Sequence, residues 1–420
     1  MYLAVGKTLI TLQFRLIIHF TYLRIFHHYK HHHHINHHLK KMSNINTNLF
    51  LGRPKNLLTL LGVWLVSEKK AWFTIYMVFI MATQFSFLLF EFVYIISVWG
   101  DLGEVSEASY LLFTQASVCL KSVVFLVYEK NLKKLMELME SDIFQPETDR
   151  HEKILTGFAR TIKNLCAFFL TSATTTCTLW AMIPLFDDAG HKTFPFRIWM
   201  PVTPETSPNY ELGYFYQMLS IYISAGLFIG MDSVAVSMIM FGCGQLEIVI
   251  DKLELKKEQE KILKNNNKLL IECVKQHQAV VNFIELVEDT YHGNIFFQLS
   301  GTVAIMCNIM LRISIVDHHS VQFFSMCNYM VTMLSQLFLY CWCGNELTIR
   351  SEELRDKMYQ CPWYEQNMKY RRAMWIAMER MKRPIIFKAG HYISLSRPTF
   401  VTILRCSYSY YAVLNRTRGK

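Results

Sequence analysis

The sequence predicts an all-α, polytopic membrane protein that begins in the cytoplasm. Three observations carry that prediction. The 420 residues are 52% hydrophobic and only 18% charged, against roughly 25% charged in an average soluble chain. The apolar residues gather into blocks of about 20, the number a helix needs at 1.5 Å per residue to cross a hydrocarbon core of about 30 Å. Lysine and arginine are dense in alternate connections between those blocks and sparse in the others. A disulfide scaffold, a coiled coil and a disordered chain are all disfavoured by the same pattern.

Along the chain, residues 1–41 come first, a His-rich extension ahead of the main domain at 42–414. Residues 2–26 are apolar but interrupted by Lys7, Arg15 and Arg24. Each buried cation costs about 2.5–3.5 kcal/mol on insertion scales, so no clean span is expected. No small-residue cleavage site follows. Eight of the sixteen histidines fall between His27 and His38. Metal binding is one reading of such a tract. The favoured one is a polar extension, or an upstream start that the mature protein lacks, with Met42 then as the expected true start.

Six segments then have the length of a span, at about 71–93, 108–128, 164–185, 214–240, 294–315 and 320–343. Arg53, Lys55, Lys69 and Lys70 lead into the first. Lys130, Lys133, Lys134, Arg150, Lys153, Arg160 and Lys163 join the second to the third, and seven lysines from Lys252 to Lys275 join the fourth to the fifth. Nine cations from Arg350 to Arg383 follow the sixth, whereas 94–107 and 316–319 carry none and 186–213 only Lys192 and Arg197. The positive-inside rule puts the dense loops, and with them the N-terminus, in the cytoplasm. Residues 398–414 form a seventh apolar run, with Arg405 in its middle. A lipid-facing helix carries that arginine at a cost that a protein-facing or water-facing helix largely escapes. If it spans, the C-terminus is extracellular.

Inside the spans, Glu91, Lys121, Asp232 and Arg312 are read as snorkelling or locally paired charges, and Gly226–Gly230 as a G-x-x-x-G packing groove. The outer halves are rich in soft and aromatic groups. Tyr110, Phe113, Thr114, Thr175, Trp180, Met218, Tyr222, Asn328, Tyr329 and Met333 are the candidate lining of an apolar cavity with a few orienting hydroxyls. The loop 186–213 holds Pro195, Pro201, Pro204 and Pro208 with Phe194, Phe196 and Trp199, so it is expected to be irregular and stiff, either a roof or an exposed connection. The stretch 247–292 keeps helical periodicity below the membrane.

Most of the eleven cysteines lie in apolar runs, where a thiol packs as a small hydrophobe. No outer disulfide, metal centre or cofactor is expected, and Cys341-Trp-Cys343 reads as core. No phosphate-binding, zinc-protease or nucleophile-elbow motif occurs, so no catalytic residue is assigned and an enzyme is not expected. The net charge of +10 forms no separate basic, aromatic-rich stripe, which argues against nucleic acid.

The end of the chain carries a resemblance. Ser351-Glu-Glu-Leu354, Tyr359-Gln-Cys-Pro-Trp-Tyr364, Arg371-Arg372 and Arg383-Pro384 are followed by Ala389-Gly390, Leu395-Ser396, Thr399-Phe400, Ile403-Leu-Arg405 and Ser407-Tyr-Ser-Tyr410. In order and spacing this run resembles the C-terminal signature of insect odorant receptors, and Phe194-Pro-Phe-Arg-Ile-Trp-Met-Pro201 resembles the family too. The resemblance covers about residues 45–416; His391 and Pro398 depart from the usual choices. It implies seven transmembrane helices, the seventh at 398–414, with the N-terminus cytoplasmic and the C-terminus extracellular. Cytoplasmic helix extensions form an anchor domain that includes 344–397, and 415–420 is an extracellular tail.

The resemblance further implies an odorant-tuning subunit of a ligand-gated, non-selective cation channel. Its partners are the shared odorant receptor co-receptor in a heterotetramer, a small volatile apolar ligand and membrane lipid, in the plasma membrane of sensory neurons. The connection between the fourth and fifth helices is too short for the co-receptor itself. The seventh helix lines the pore, with Val413 at a hydrophobic gate and Ser409 and Thr417 one turn to either side. Two rivals fit less well. The Thr-Tyr…Gln-Phe ending of gustatory receptors is absent, as are the Asp-Arg-Tyr-like and Asn-Pro-x-x-Tyr-like motifs of G-protein-coupled receptors.

Overall fold

Residues 45–64, 71–100, 102–186, 193–201, 207–259 and 266–418 are described by the computed structural model of the chain. The His-rich extension and Met42 lie outside the described residues. The helices are α1 (Ile45–Leu60), α2 (Ala71–Ser97), α3 (Leu102–Val127), α4 (Glu129–Met139), α5 (Asp149–Phe186), α6 (Asn209–Gln259), α7 (Asn266–Ile313), α8 (Val321–Gln360), α9 (Met368–Met381) and α10 (Arg397–Arg418). A two-stranded hairpin, β1 (Lys388–Ala389) and β2 (Ile393–Ser394), precedes α10. The end of the bundle at loop 193–201 is called the outer end and the end at α1 and α9 the anchor end, after the sequence expectation.

The six expected spans match α2, α3, α5, α6, α7 and α8, overshooting a helix end by at most two residues. Helices α5, α6, α7 and α8, at 38, 51, 48 and 40 residues, are far longer than the roughly 20 that a bilayer core needs. Helix α6 has 51 residues, about 77 Å at 1.5 Å per residue. No Pro interrupts its continuation, and Gly242 and Gly244 do not stop it because neighbouring helices pack closely there: a Cβ on Gly242 would lie 2.6 Å from Ile284, and one on Gly244 3.0 Å from Leu155. Among the described residues α2, α5, α6 and α7 are long and apolar enough to cross a membrane, and the pair α3–α4, bent by 68°, makes a fifth. Helices α8 and α10 also join the bundle, but Gln322, Asn328 and Gln336 in one and Arg397, Arg405 and Arg416 in the other dilute their hydropathy.

The anchor end has its own core. Phe241 of α6 meets Phe50, Phe144 and Phe283 edge-on at 5.4, 5.5 and 5.4 Å, the geometry favoured by aromatic quadrupoles. Asn46 donates from Nδ2 to the carbonyls of Met139 and Phe144 at 2.8 and 3.1 Å, fixing α1 to the turn after α4. Gly226 and Gly230 seat α1 against α6: a Cβ on either would lie 2.8 Å from Leu61 or 2.7 Å from Leu58. The G-x-x-x-G is thus a groove for a helix of the same chain. His277 of α7 is buried here, and burial together with Arg380 pushes its imidazole from 6.5 down to about 4.

The stretch 344–397 forms the anchor end of α8, then α9, then the hairpin that delivers α10. The hairpin pairs Lys388 with Ser394 and Ala389 with Ile393. Gly390 and His391 turn it with φ of 59° and 65°, a conformation that suits glycine. His391 is held there by docking on α7: its ring lies 4.0 Å from that of His292, and the Gly390 N–H donates to the His292 carbonyl at 2.9 Å. Ser396 then caps α10, accepting from the Thr399 N–H at 3.4 Å. Pro398 falls in the first helical turn, where a missing N–H leaves no bond unmade.

Candidate functional site

A cavity of about 50 Å³ lies inside the outer half of the bundle. Its wall takes one face from each of four helices, at 111, 114, 115 and 118 of α3, 173, 176, 177 and 180 of α5, 221, 224, 225, 228 and 229 of α6, and 329, 332 and 333 of α8. The steps of three and four residues keep one face inward.

Of the residues singled out by sequence, Thr114, Trp180, Tyr329 and Met333 line this cavity. Met218 is buried in the layer just outside it. Tyr222 is half-buried, with its hydroxyl 3.1 Å from that of Thr178. Asn328 turns towards α5, donating at 2.8 Å to the Ser172 carbonyl and to the Thr176 hydroxyl. Phe113 and Thr175 point out of the bundle and are exposed, the Thr175 hydroxyl donating to the Thr171 carbonyl of its own helix at 2.8 Å. The side chain of Tyr110 lies outside the described residues. Thr176, Cys177, Gln115, Ser224, Phe228 and Thr332, which the sequence reading passed over, also line the wall. Helical phase is the signal for them: anchoring α5 on Trp180 and stepping back by three and four selects Cys177 and Thr176, and rejects Thr175.

The wall's polar groups are largely tied to one another. Gln115 donates to the Gln84 side-chain oxygen at 2.9 Å, and the Ser224 hydroxyl donates to the Gln115 oxygen at 2.8 Å. Ser172 and Thr332 share a hydrogen bond of 2.7 Å, and Thr114 and Tyr329 another of 2.5 Å. What remains facing the space is mainly hydrocarbon and ring. The volume, about 50 Å³, holds one or two waters at about 30 Å³ each, so a larger guest requires the walls to move.

One turn below the cavity lies its floor. Lys121 of α3 donates to Asp232 of α6 at 2.7 Å, with the two side chains 1% and 3% exposed. Asp232 also accepts from Tyr340 of α8 at 2.7 Å and from Gln336 of the same helix. Gln298 of α7 donates to Gln336 at 2.9 Å and accepts from Ser117 of α3 at 2.5 Å. The Lys121 ammonium stands 3.6 Å from the ring centre of Phe228, a cavity-wall residue. Three helices therefore meet on one carboxylate, and α7 joins the network through Gln336. Snorkelling accounts for none of the four charges noted in the sequence, since Glu91, Lys121, Asp232 and Arg312 are all buried.

The outer loop closes the other end. Phe196 is buried edge-on against Trp180 at 5.3 Å. Its N–H donates to the Gln217 side-chain oxygen at 3.0 Å and its carbonyl accepts from the Gln217 amide at 3.2 Å. Arg197 donates to both oxygens of Glu104 at 2.6 Å, and the Trp199 N–H to the Phe90 carbonyl at 3.3 Å. Three helices thus bond three residues of the loop.

Helix α10 lies along α7 and α8. Ile403 and Ser407 are buried, with Phe400, Leu404 and Tyr411 half-covered beside them. Thr402, Arg405, Ser409, Val413 and Arg416 occupy the other side and are exposed. The side chain of Thr417 lies outside the described residues.

A family model described as "7tm Odorant receptor" matches residues 101–408. The chain is 25% identical over 381 residues to odorant receptor 46a, isoform A, of Drosophila melanogaster, covering 88% of this chain and 98% of that one. It is 23% identical to odorant receptor Or1 of Anopheles gambiae over 342 residues, 75% of this chain and 81% of that one. Its fold is like that of the insect olfactory receptor OR5 from Machilis hrabei in complex with eugenol, with a TM-score of 0.78 and 14% identity over 89% of this chain and all of that one.

Proposed function

Because the chain belongs to the 7tm odorant receptor family, and is a membrane receptor rather than an enzyme, we propose that it is the odorant-tuning subunit of a ligand-gated cation channel. The observation that carries this reading is the uncovered side of α10. A helix of 22 residues, about 33 Å long, presents Thr402, Arg405, Ser409 and Arg416 on the surface of a single chain. Polar and cationic groups facing lipid cost several kcal/mol; facing a water-filled axis between subunits, they do not. Val413 is the sizeable apolar side chain on that face and is the proposed gate, closing by dewetting, with Ser409 and Thr417 on adjacent turns.

The N-terminus is cytoplasmic and the C-terminus extracellular in this reading, as the lysine and arginine distribution requires. That places 344–397 with the other helix extensions in a cytoplasmic anchor and leaves 415–420 outside. The ligand is a small volatile molecule, in keeping with the eugenol bound by OR5, and it takes the cavity beneath Trp180 and Tyr329. Binding widens the cavity and shifts the channel towards its open state only as far as the ligand prefers the widened wall. Assembly with the odorant receptor co-receptor dilutes the Arg416 and Arg418 charges at the outer mouth, which four identical copies would concentrate against passing cations. The membrane is that of a sensory neuron.

Co-expression with the co-receptor, followed by current recording against a panel of volatiles, tests the reading. The expected result is a cation current evoked by at least one volatile. Surface-expressed complexes that stay silent to every volatile, while the subunit alone activates G proteins, would overturn it.

A further inference from the structure

Resting on the ligand-cavity reading above, we infer that Gln217 is a positioning residue that holds Phe196 as the ceiling of the cavity, and that Phe196 thereby sets the largest molecule the cavity admits from its outer end. Gln217 sits in an apolar stretch of α6 and is fully buried. A carboxamide in that setting is costly unless both its halves are bonded. Here both go to one residue: the side-chain oxygen takes the Phe196 N–H and the side-chain amide reaches the Phe196 carbonyl. The side chain thus pairs with a loop backbone as a neighbouring strand would, and fixes the height at which the loop crosses the bundle.

Phe196 converts that height into a limit. Its ring stands edge-on to Trp180, which lines the cavity, and 6.4 Å from Phe87. With Ile198 and Met218 it forms the buried layer directly outside the wall. Nothing in this layer needs charge or water, so its effect on a volatile guest is steric. Lowering or raising the ring changes the room above Trp180 without touching the wall hydroxyls or the floor.

Two measurements on the full complex in intact membranes test this. Cys177 lines the cavity, whereas Cys243 is buried in the anchor core, so labelling by the neutral reagent N-ethylmaleimide, read by peptide mass spectrometry, compares one with the other. Gln217→Ala and Phe196→Ala are expected to speed Cys177 labelling at least about tenfold with Cys243 unchanged. Equal rates at Cys177 in wild type and both variants, or a parallel rise at Cys243, would overturn the ceiling. Currents evoked by 2-alkanones of increasing chain length form the second arm. Phe196→Ala should extend the longest effective member by about one to three carbons and Phe196→Trp should shorten it, opposite shifts that general loosening does not produce. Silence to every 2-alkanone in all variants moves this arm to a homologous series built on a volatile that the panel finds active, where the same opposite shifts are required. Silence to the whole panel counts against the ligand-gated reading, and the labelling then still decides the ceiling.

Discussion

Replacing Lys121 by Met removes the cation from a deeply buried carboxylate. Asp232 is 3% exposed and keeps only neutral donors, Tyr340 at 2.7 Å and Gln336. Deleting one member of a buried ion pair typically costs about 3–5 kcal/mol, because the other stays desolvated and uncompensated. Asp232→Asn strands the ammonium instead and belongs in the same range. Combining Lys121→Met with Asp232→Asn leaves no net charge, and the new amide oxygen still accepts from Tyr340. The double variant should therefore lie within about 1–2 kcal/mol of wild type. The two single losses then exceed the double loss by at least about 4 kcal/mol. Thermal unfolding of solubilised complexes, followed by fluorescence-detected size exclusion, reads the cycle: each single variant melts far below wild type and the double variant recovers most of the difference. A Lys121→Met protein that melts with wild type, or a double variant that melts no higher than the singles, would refute the argument that the pair is energetically one unit.

Four other expectations follow from the same geometry. Thr176→Ala removes a wall hydroxyl that accepts from Asn328 at 2.8 Å and should shift the half-maximal ligand concentration about two- to tenfold, while Thr175→Ala, on the outward face, should leave the dose–response curve in place. Val413→Ser should raise the ligand-free leak current of co-receptor complexes if that position gates. His277, held neutral with its pKa near 4 against 6.5 when free, contributes stability that is complete above about pH 6.5 and is lost as pH falls towards 4. Between pH 7 and 5 the loss is about 2 kcal/mol, visible as a lower melting midpoint, and His277→Asn should shrink that acid shift. Gly344→Ala would put a methyl carbon 2.4 Å from Leu395 Cβ and 2.7 Å from its carbonyl oxygen, costing about 1–3 kcal/mol as overpacking and showing as reduced surface expression.

The bundle was legible because span-length apolar blocks stand out against cation-rich connections, and the resemblance at 351–414 added the helix that Arg405 obscures. Helix ends were only partly legible. The periodicity of 247–292 marks helix below the spans, but not that α6 runs unbroken from Asn209 to Gln259 through Gly242 and Gly244; partners such as Phe50 and Phe283, which no local window contains, enclose that stretch. The cavity was half legible for a related reason. Residue type marked Thr114, Trp180, Tyr329 and Met333, but type alone does not tell Thr175 from Thr176; only the phase of α5 against its neighbours does. Lys121 and Asp232 were conspicuous as charges, yet their pairing spans 111 positions. Gln217 was invisible, since one amide in an apolar run carries no sign that it fastens a loop.

The same side-chain phase suggests how a guest at the cavity reaches α10, the proposed pore helix. Thr332, Gln336, Tyr340 and Gly344 follow one another every four residues along one side of α8, about 18 Å in all. Thr332 is in the cavity wall. Gln336 and Tyr340 donate to Asp232, so the floor network grips α8 at the next two turns. Gly344 then abuts the backbone of Leu395 so closely that no side chain fits between, and Leu395 is two residues before α10 begins. A shift of α8 that widens the cavity therefore carries its load through a charge-centred network into the segment that aims α10, because close-packed contacts of this kind repack between discrete arrangements rather than stretch. This is also a physical reason for a receptor of apolar molecules to keep an ion pair in hydrocarbon. A carboxylate bonded from α3 and twice from α8 fixes their register against α6 more narrowly than leucines would, so that movement at the wall is passed on instead of being absorbed.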